Sequence, residues 1–202
     1  MKARWLFFDV GSTLIDETEC YKQRIRDAIS GTDITFEQFN EKRIEFAKMN
    51  LKSDIETINF FGLKKTPWHK ELERPYPDAE NVLRQLSDMD YKIGIIANQS
   101  AGTAQRLEKW GLMRYISLVL SSAEEGVSKP DPEIFRLGVK ALNLSPENVL
   151  VVGDSYKKDI VPSESIGCQV LWLKGKGWTS EEDAQMHENI ISSLNEIAVN
   201  LA

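Results

Sequence analysis

Short, mainly apolar runs alternate along this chain with longer stretches in which apolar residues recur at helical spacing. Trp5 to Phe8 with Val10, Tyr91 to Ala97, Tyr115 to about Leu120, Val149 to Val152 and Val170 to Leu173 are the runs. Residues apolar on both faces predict strands of a parallel sheet covered by helices on either side. Between them, Val82, Leu83, Leu86 and Met89, then Ala104, Leu107 and Trp110, then Ile134, Phe135, Gly138, Ala141 and Leu142 predict amphipathic helices, and Ile190 to Leu201 a last one. A short helix is predicted over Asp159 to Ile166, where Pro162 is tolerable only in the first turn, because its missing N–H would have no partner there anyway. Strands alternating with helices predict an α/β fold, a doubly wound parallel sheet whose right-handed crossovers bring every strand's carboxyl end to one edge.

One segment breaks this rhythm. From Glu17 to Arg74 the chain is charged, helical in pattern and free of strand-like runs, with Gly31 and Gly62 placed to end helices. Pro75-Tyr76-Pro77-Asp78 restarts the α/β pattern, and Asp78 is suited to cap the helix that follows. The expected organisation is a core made of residues 1–16 and 75–202, with residues 17–74 inserted as a separate helical unit.

Polar residues at the run ends carry the candidate chemistry. Asp9, Asn98 and Asp154 each follow a predicted strand, Asp159 opens the next helix, and Lys129 lies in a loop leaving the same edge. Ligands of open α/β sheets bind at that edge. Three convergent carboxylates repel, by about 4 kcal/mol for each pair 4 Å apart at an effective dielectric of 20, so such a site calls for cations. Lys129 supplies one, and a hard divalent ion held by oxygen ligands, Mg²⁺, suits the rest while leaving room for a substrate phosphate. That charge balance suits attack by Asp9 on a phosphoryl group, with an aspartyl-phosphate hydrolysed later by water.

Composition narrows the partners. A net charge of -6 argues against nucleic acid, and no apolar run approaches the roughly 20 residues that span a bilayer. Asp9 interrupts the apolar amino terminus too early for a signal peptide, so a cytoplasmic location is expected. Cys20 and Cys168 lack metal-ligand spacing and read as reduced thiols.

Across nearly its whole length the chain resembles the haloacid dehalogenase superfamily of phosphohydrolases and relatives. The first motif of that family matches Asp9, Thr13 and Leu14, the lysine of the third matches Lys129 in Ser-Lys-Pro-Asp-Pro-Glu-Ile-Phe, and the acidic pair of the fourth matches Asp154 and Asp159 in Gly-Asp-Ser-Tyr-Lys-Lys-Asp-Ile. The resemblance implies Asp9 as nucleophile and metal ligand, the Gly11 carbonyl, Asp154 and Asp159 as further Mg²⁺ ligands, residues 17–74 as a cap, and a small phosphorylated metabolite as substrate, and the residues expected at the phosphate are Lys129, Asn98 and Gly11.

Two positions depart from the phosphatase pattern. Gly11 replaces the second Asp that serves as general acid and base, a function worth about 10² to 10⁴ in rate, and Ala97 replaces the second motif's Ser or Thr. Asn98, Gln99 or Ser100 remains to meet the phosphoryl group, although Ser100 reads first as a helix cap and Asp16 as a structural residue at the hinge. A weak or specialised phosphohydrolase is expected. The alternatives are a catalytically silent member that binds a phosphorylated ligand or a protein, and a dehalogenase or phosphonate-cleaving relative. Asp154 argues against the dehalogenases, and the Schiff-base lysine of phosphonate cleavage would have to be Lys42, Lys48 or Lys52, which read as surface charges. Trp68, Tyr76 and Trp178 read as packing residues near the pocket mouth, and neither His69 nor His187 receives a catalytic role.

Overall fold

The computed structural model describes residues 4–49, 51–174 and 187–201. Strand β1 (Trp5–Phe8) lies at the centre of a six-stranded sheet whose strand pairs are all parallel. The short β2 (Ile15–Asp16) leads into helices α1 (Thr18–Ile29), α2 (Phe36–Lys48) and α3 (Ser53–Phe60), and β3 (Arg74–Pro75) leads out. Next come α4 (Ala79–Asp88), β4 (Lys92–Ala97), α5 (Thr103–Lys109), β5 (Ile116–Ser121), α6 (Ser122–Glu125) and α7 (Glu133–Ala141). The described chain finishes with β6 (Val149–Gly153), α8 (Val161–Glu164), β7 (Gln169–Leu173), β8 (Ile190–Ile191) and α9 (Glu196–Leu201).

The sheet order is β5-β4-β1-β6-β7-β8. From β1 the chain therefore winds one way to β4 and β5 and the other way to β6, β7 and β8. That reversal opens a crevice at the carboxyl end of β1, where ligands of doubly wound sheets bind. Register keeps the crevice level, since Phe8 lies opposite Ile95 on one side and Val152 on the other.

Alternation along the strands supplies two cores. Leu6, Phe8, Ile93, Ile95, Leu150 and Val152 bury one face against Val82, Leu83 and Leu86 of α4, Leu107 of α5 and Ile197 of α9. Phe7, Ile96, Val149, Val151 and Trp172 bury the other against Ile134, Phe135 and Val139 of α7. Both faces of the central strands are covered, which is why they read as continuous apolar runs, and exposure is confined to positions such as Lys92 at the start of β4 and Ser117 in the edge strand β5.

Helices α1 to α3 enclose a smaller cluster of Ile25, Ala28, Phe39 and Ile58. Thr35 caps α2 through a reciprocal pair of bonds with Gln38. Gly31 and Gly62, just past the ends of α1 and α3, have positive φ, as a helix-terminating glycine should. The two chain crossings into and out of this helical segment pair as an antiparallel ribbon, Ile15 with Pro75 and Asp16 with Arg74.

Several sequence expectations need correction. Ile190 to Leu201 is not one helix. Ile190–Ile191 extends the sheet beside Trp172 and Leu173, and the helix is confined to α9, because two apolar residues beside an open sheet edge gain more from pairing than from coiling. Asp159 does not open an α-helix, for Tyr156–Ile160 forms a turn of π-helix, and Pro162 falls in the first turn of the α8 helix after it. Asp78 stands at the head of α4 in helical backbone and makes no side-chain cap bond. Ser100 does not cap α5, whose cap position is Gly102. The expectation for Trp178 lies outside the described residues. Among the described residues, no helix is long and apolar enough to cross a membrane.

Candidate active site

The loop after β1 sets the first carboxylate. The Asp9 amide continues the sheet by donating to the Val152 carbonyl at 3.0 Å, and the chain then folds sharply, with Leu14 and Ile15 amides both donating to the Val10 carbonyl at 2.9 Å. Asp9 is thereby held at the crevice while Thr13 is turned inward, its hydroxyl donating to Asp154 Oδ1 at 3.5 Å. Asp154 follows β6 directly, and its carbonyl accepts from Trp172 Nε1 at 2.8 Å.

The π-helical turn after Asp154 re-aims the next residues, a use common for such turns near functional sites. It brings Asp159 back so that its Oδ2 accepts from the Ser155 amide at 3.0 Å and its Oδ1 from Lys129 Nζ at 2.5 Å. The same ammonium donates to Asp9 Oδ1 at 2.5 Å. Asn98 clamps Lys129 through both atoms of its amide, Nδ2 donating to the Lys129 carbonyl and Oδ1 accepting from the Lys129 amide, each at 2.8 Å.

One oxygen from each of Asp9, Asp154 and Asp159 lies within 4.8 Å of the others. Burial would discharge Lys129, but the carboxylates of Asp159 and Asp9 outweigh it and hold the ammonium above its ordinary range. Burial pushes Asp9 up to about 6, against the pull of Lys129 and with the help of Asp159. Asp154 is raised well above the carboxylate range by burial and by its two acidic neighbours. Three carboxylates facing one ammonium leave surplus negative charge in a desolvated place. An all-oxygen donor set with that surplus fits a hard divalent cation such as Mg²⁺.

These groups floor a cavity of about 480 Å³ roofed by the helical segment, with Gly11, Asn98 and Tyr21 among its other lining residues. The sequence-predicted residues Asp9, Gly11, Asn98, Lys129, Asp154 and Asp159 thus meet at one cavity. Ser100 also lines it, and its hydroxyl accepts from Lys70 Nζ at 2.8 Å, which links core to roof in place of capping a helix. Asp16 sits in the hinge ribbon, where its Oδ1 accepts from the Thr18 amide at 2.9 Å. Trp68 lines the cavity and donates to Glu73 Oε1 at 2.9 Å, whereas Tyr76 packs on the core. Of the three roof lysines, Lys52 lines the cavity and Lys42 pairs with Glu45. His69 is bound to Asp27 and Glu71, and His187 to Glu164.

Glu17 was not singled out by sequence reasoning. It is 8% exposed, lines the same cavity, and is pushed up to about 7 by burial and by the nearby charge of Asp9. Its Oε1 accepts from Gln99 Nε2 at 3.3 Å. One signal was available. Glu17 occupies the cap position of α1, where Ser, Thr, Asp or Asn is preferred, and it makes no cap bond there.

Comparison with known proteins gives the family and the fold. A family model described as a haloacid dehalogenase-like hydrolase matches residues 3–167. A glyceraldehyde 3-phosphate phosphatase of Methanocaldococcus jannaschii is 34% identical over 62% of this chain and 56% of its own length, so the match spans little more than half of that relative. A glyceraldehyde 3-phosphate phosphatase of Pyrococcus abyssi is 27% identical over 84% of this chain and 80% of its own. The crystal structure of a HAD phosphatase from Thermococcus onnurineus superposes with a TM-score of 0.70 at 23% identity, covering 100% of this chain and 98% of that one, which is a likeness of fold.

Proposed function

The chain belongs to the haloacid dehalogenase-like hydrolase family, and from that premise we propose that it is a Mg²⁺-dependent phosphohydrolase that hydrolyses a small phosphorylated metabolite through an aspartyl-phosphate on Asp9. The observation that carries the reading is the buried Lys129 ammonium, 2.5 Å from both Asp9 and Asp159, with Asp154 completing the acidic cluster on the floor of a closed-over cavity. Residues 1–16 and 75–202 act as the core in this reading, and residues 17–74 as its cap. Relatives named as phosphatases of a small phosphorylated metabolite support the substrate class. The cavity volume falls within the range of small-molecule sites. The charge and topology favour a cytoplasmic enzyme without nucleic-acid or membrane partners.

Asp9, Asp154, Asp159 and the Gly11 carbonyl would hold the ion. When bound, Mg²⁺ supplies a Lewis acid that offsets charge on the phosphoryl oxygens. The remaining work falls to the chain. Lys129 keeps Asp9 oriented and offers a second positive charge to the phosphoryl group, and Asn98 fixes the Lys129 backbone at its own strand end. An oxygen of Asp9 attacks phosphorus, the bond to the leaving oxygen breaks, and water then cleaves the acyl phosphate. Gly11 brings no proton-transfer group and Ala97 no hydroxyl to these steps, so both have to come from other residues lining the cavity.

The direct test is phosphate release from p-nitrophenyl or acetyl phosphate with Mg²⁺. Turnover by the wild type that Asp9→Asn abolishes is the expected result. No release above the Asp9→Asn control on a broad phosphate panel would instead favour a silent, ligand-binding member.

A further inference from the structure

The space that Gly11 leaves empty is not empty. A Cβ placed on Gly11 would lie 2.6 Å from Glu17 Oε2 and 2.9 Å from both Glu17 Cδ and Oε1. The whole carboxylate of Glu17 therefore stands where the first side-chain atom of residue 11 would begin. We propose that Glu17, delivered from the hinge of the cap, is the general acid and base of the reaction, taking the place that a carboxylate at position 11 would hold beside Asp9. The proposal rests on the phosphohydrolase reading above.

The surroundings free this carboxylate and aim it. Asp16 accepts from the Thr18 amide at 2.9 Å at the start of α1, so Glu17 is released from capping although it occupies the cap position. Gln99 holds Glu17 Oε1 at 3.3 Å and is itself held, its Oε1 accepting from Arg106 Nη2 at 3.0 Å. Arg106 is steadied by Glu73, its Nε 3.8 Å from Glu73 Oε2. Glu17, whose Oε2 is the atom nearest the Gly11 position, lines the same cavity as Asp9. Glu17 is also outside the group of carboxylates close enough to share an ion, which comprises Asp9, Asp154 and Asp159 among the described residues.

The steps balance. As an Asp9 oxygen bonds to phosphorus and the bond to the leaving oxygen breaks, the proton of the Glu17 carboxyl passes to that oxygen and the alcohol departs. Glu17, now a carboxylate, takes a proton from the water whose oxygen attacks the aspartyl-phosphate. The bond between phosphorus and the Asp9 oxygen breaks, inorganic phosphate leaves, and both side chains return to their starting forms. Because Glu17 enters from the first residue of the cap, the acid and base would reach the site only when hinge and cap are in this arrangement.

The test compares p-nitrophenyl phosphate, whose leaving group needs no proton, with glycerol 2-phosphate, whose leaving group does, using intact protein with Mg²⁺. Glu17→Gln, nearly isosteric, is expected to lose about 10² to 10⁴ of the turnover on glycerol 2-phosphate. On p-nitrophenyl phosphate it should release a burst near one p-nitrophenol per chain and then stall, with an aspartyl-phosphate detectable by mass. Gly11→Asp alone should not raise turnover, since its side chain takes the space of the Glu17 carboxylate and only exchanges one acid for another, whereas Gly11→Asp combined with Glu17→Ala should recover activity that Glu17→Ala loses. Wild-type rates in Glu17→Gln on both substrates, or equal losses on both with no burst and no recovery in the double variant, overturn the assignment of Glu17. A wild type that releases no phosphate from these substrates or from the broad phosphate panel overturns the phosphohydrolase reading, and the assignment with it.

Discussion

Lys129 shows how a single side chain can hold a site together and be held by it. The residue is 4% exposed, its ammonium meets two carboxylates, and its backbone is pinned by Asn98. Removing one partner of a buried ion pair costs about 3–5 kcal/mol, because the charge left behind has lost both water and partner. Lys129→Met should therefore lower the unfolding free energy by roughly that amount in denaturant titration at neutral pH, and abolish phosphate release. The deficit should shrink on acidification, when Asp9 and Asp154, already raised, become protonated and no longer need a counter-charge. A loss of less than about 1 kcal/mol at neutral pH would mean that the carboxylates are neutral without it.

Among the elements, the segment that returns from α3 toward β3 is tied to α1 by a charged group of its own. His69 Nε2 lies 2.5 Å from Asp27 Oδ2 and Nδ1 lies 2.8 Å from Glu71 Oε1. Hydrogen bonds to Glu71 and then Asp27 raise the imidazole above its usual pKa, while a hydrogen bond to His69 lowers Asp27, and its own amide, then His69, lowers Glu71. The raised histidine contributes stability that is full below its unfolded value, about 6.5, and is lost as pH rises through the folded value. The depressed carboxylates contribute above their unfolded values, about 4, and lose it as pH falls. The tie is thus strongest from about pH 5 to 6.5. Thermal melting of the wild type and His69→Gln should differ most near pH 6 and converge by pH 9, and a constant gap across that range would remove His69 from the account.

For the whole molecule, the two windings of the sheet and the helical segment of residues 17–74 meet at one acidic centre, and the proposed ion should stabilise all three. An ion that binds only the folded state at a hundred times its Kd adds about 2.7 kcal/mol, or roughly 5–10 °C in Tm for a chain of this size. Mg²⁺ should raise the Tm by that order, and chelation should reverse it. In Asp154→Asn the rise should vanish, and its persistence would place the ion elsewhere. Much of this design was legible in the order of residues. Apolar runs such as Trp5 to Phe8 must be buried on both faces, which dictates a covered parallel sheet. Polar residues that end such runs must then gather at one edge, as Asp9, Asn98 and Asp154 do. Finer assignments needed the fold. Ile190–Ile191 became a strand because Trp172 and Leu173 offered an edge, and Ser100 turned to Lys70 because the helical segment brought that ammonium within reach. Glu17 is the sharpest case. Its neighbours in sequence mark a hinge and a helix start, but its carboxylate lies against Gly11 because the loop after β1 folds back through Ile15. Periodicity and run ends are properties of the chain alone and determine which faces are buried and which edge carries charge. Which carboxylate fills a gap six residues away depends on a contact that exists only once the loop has closed.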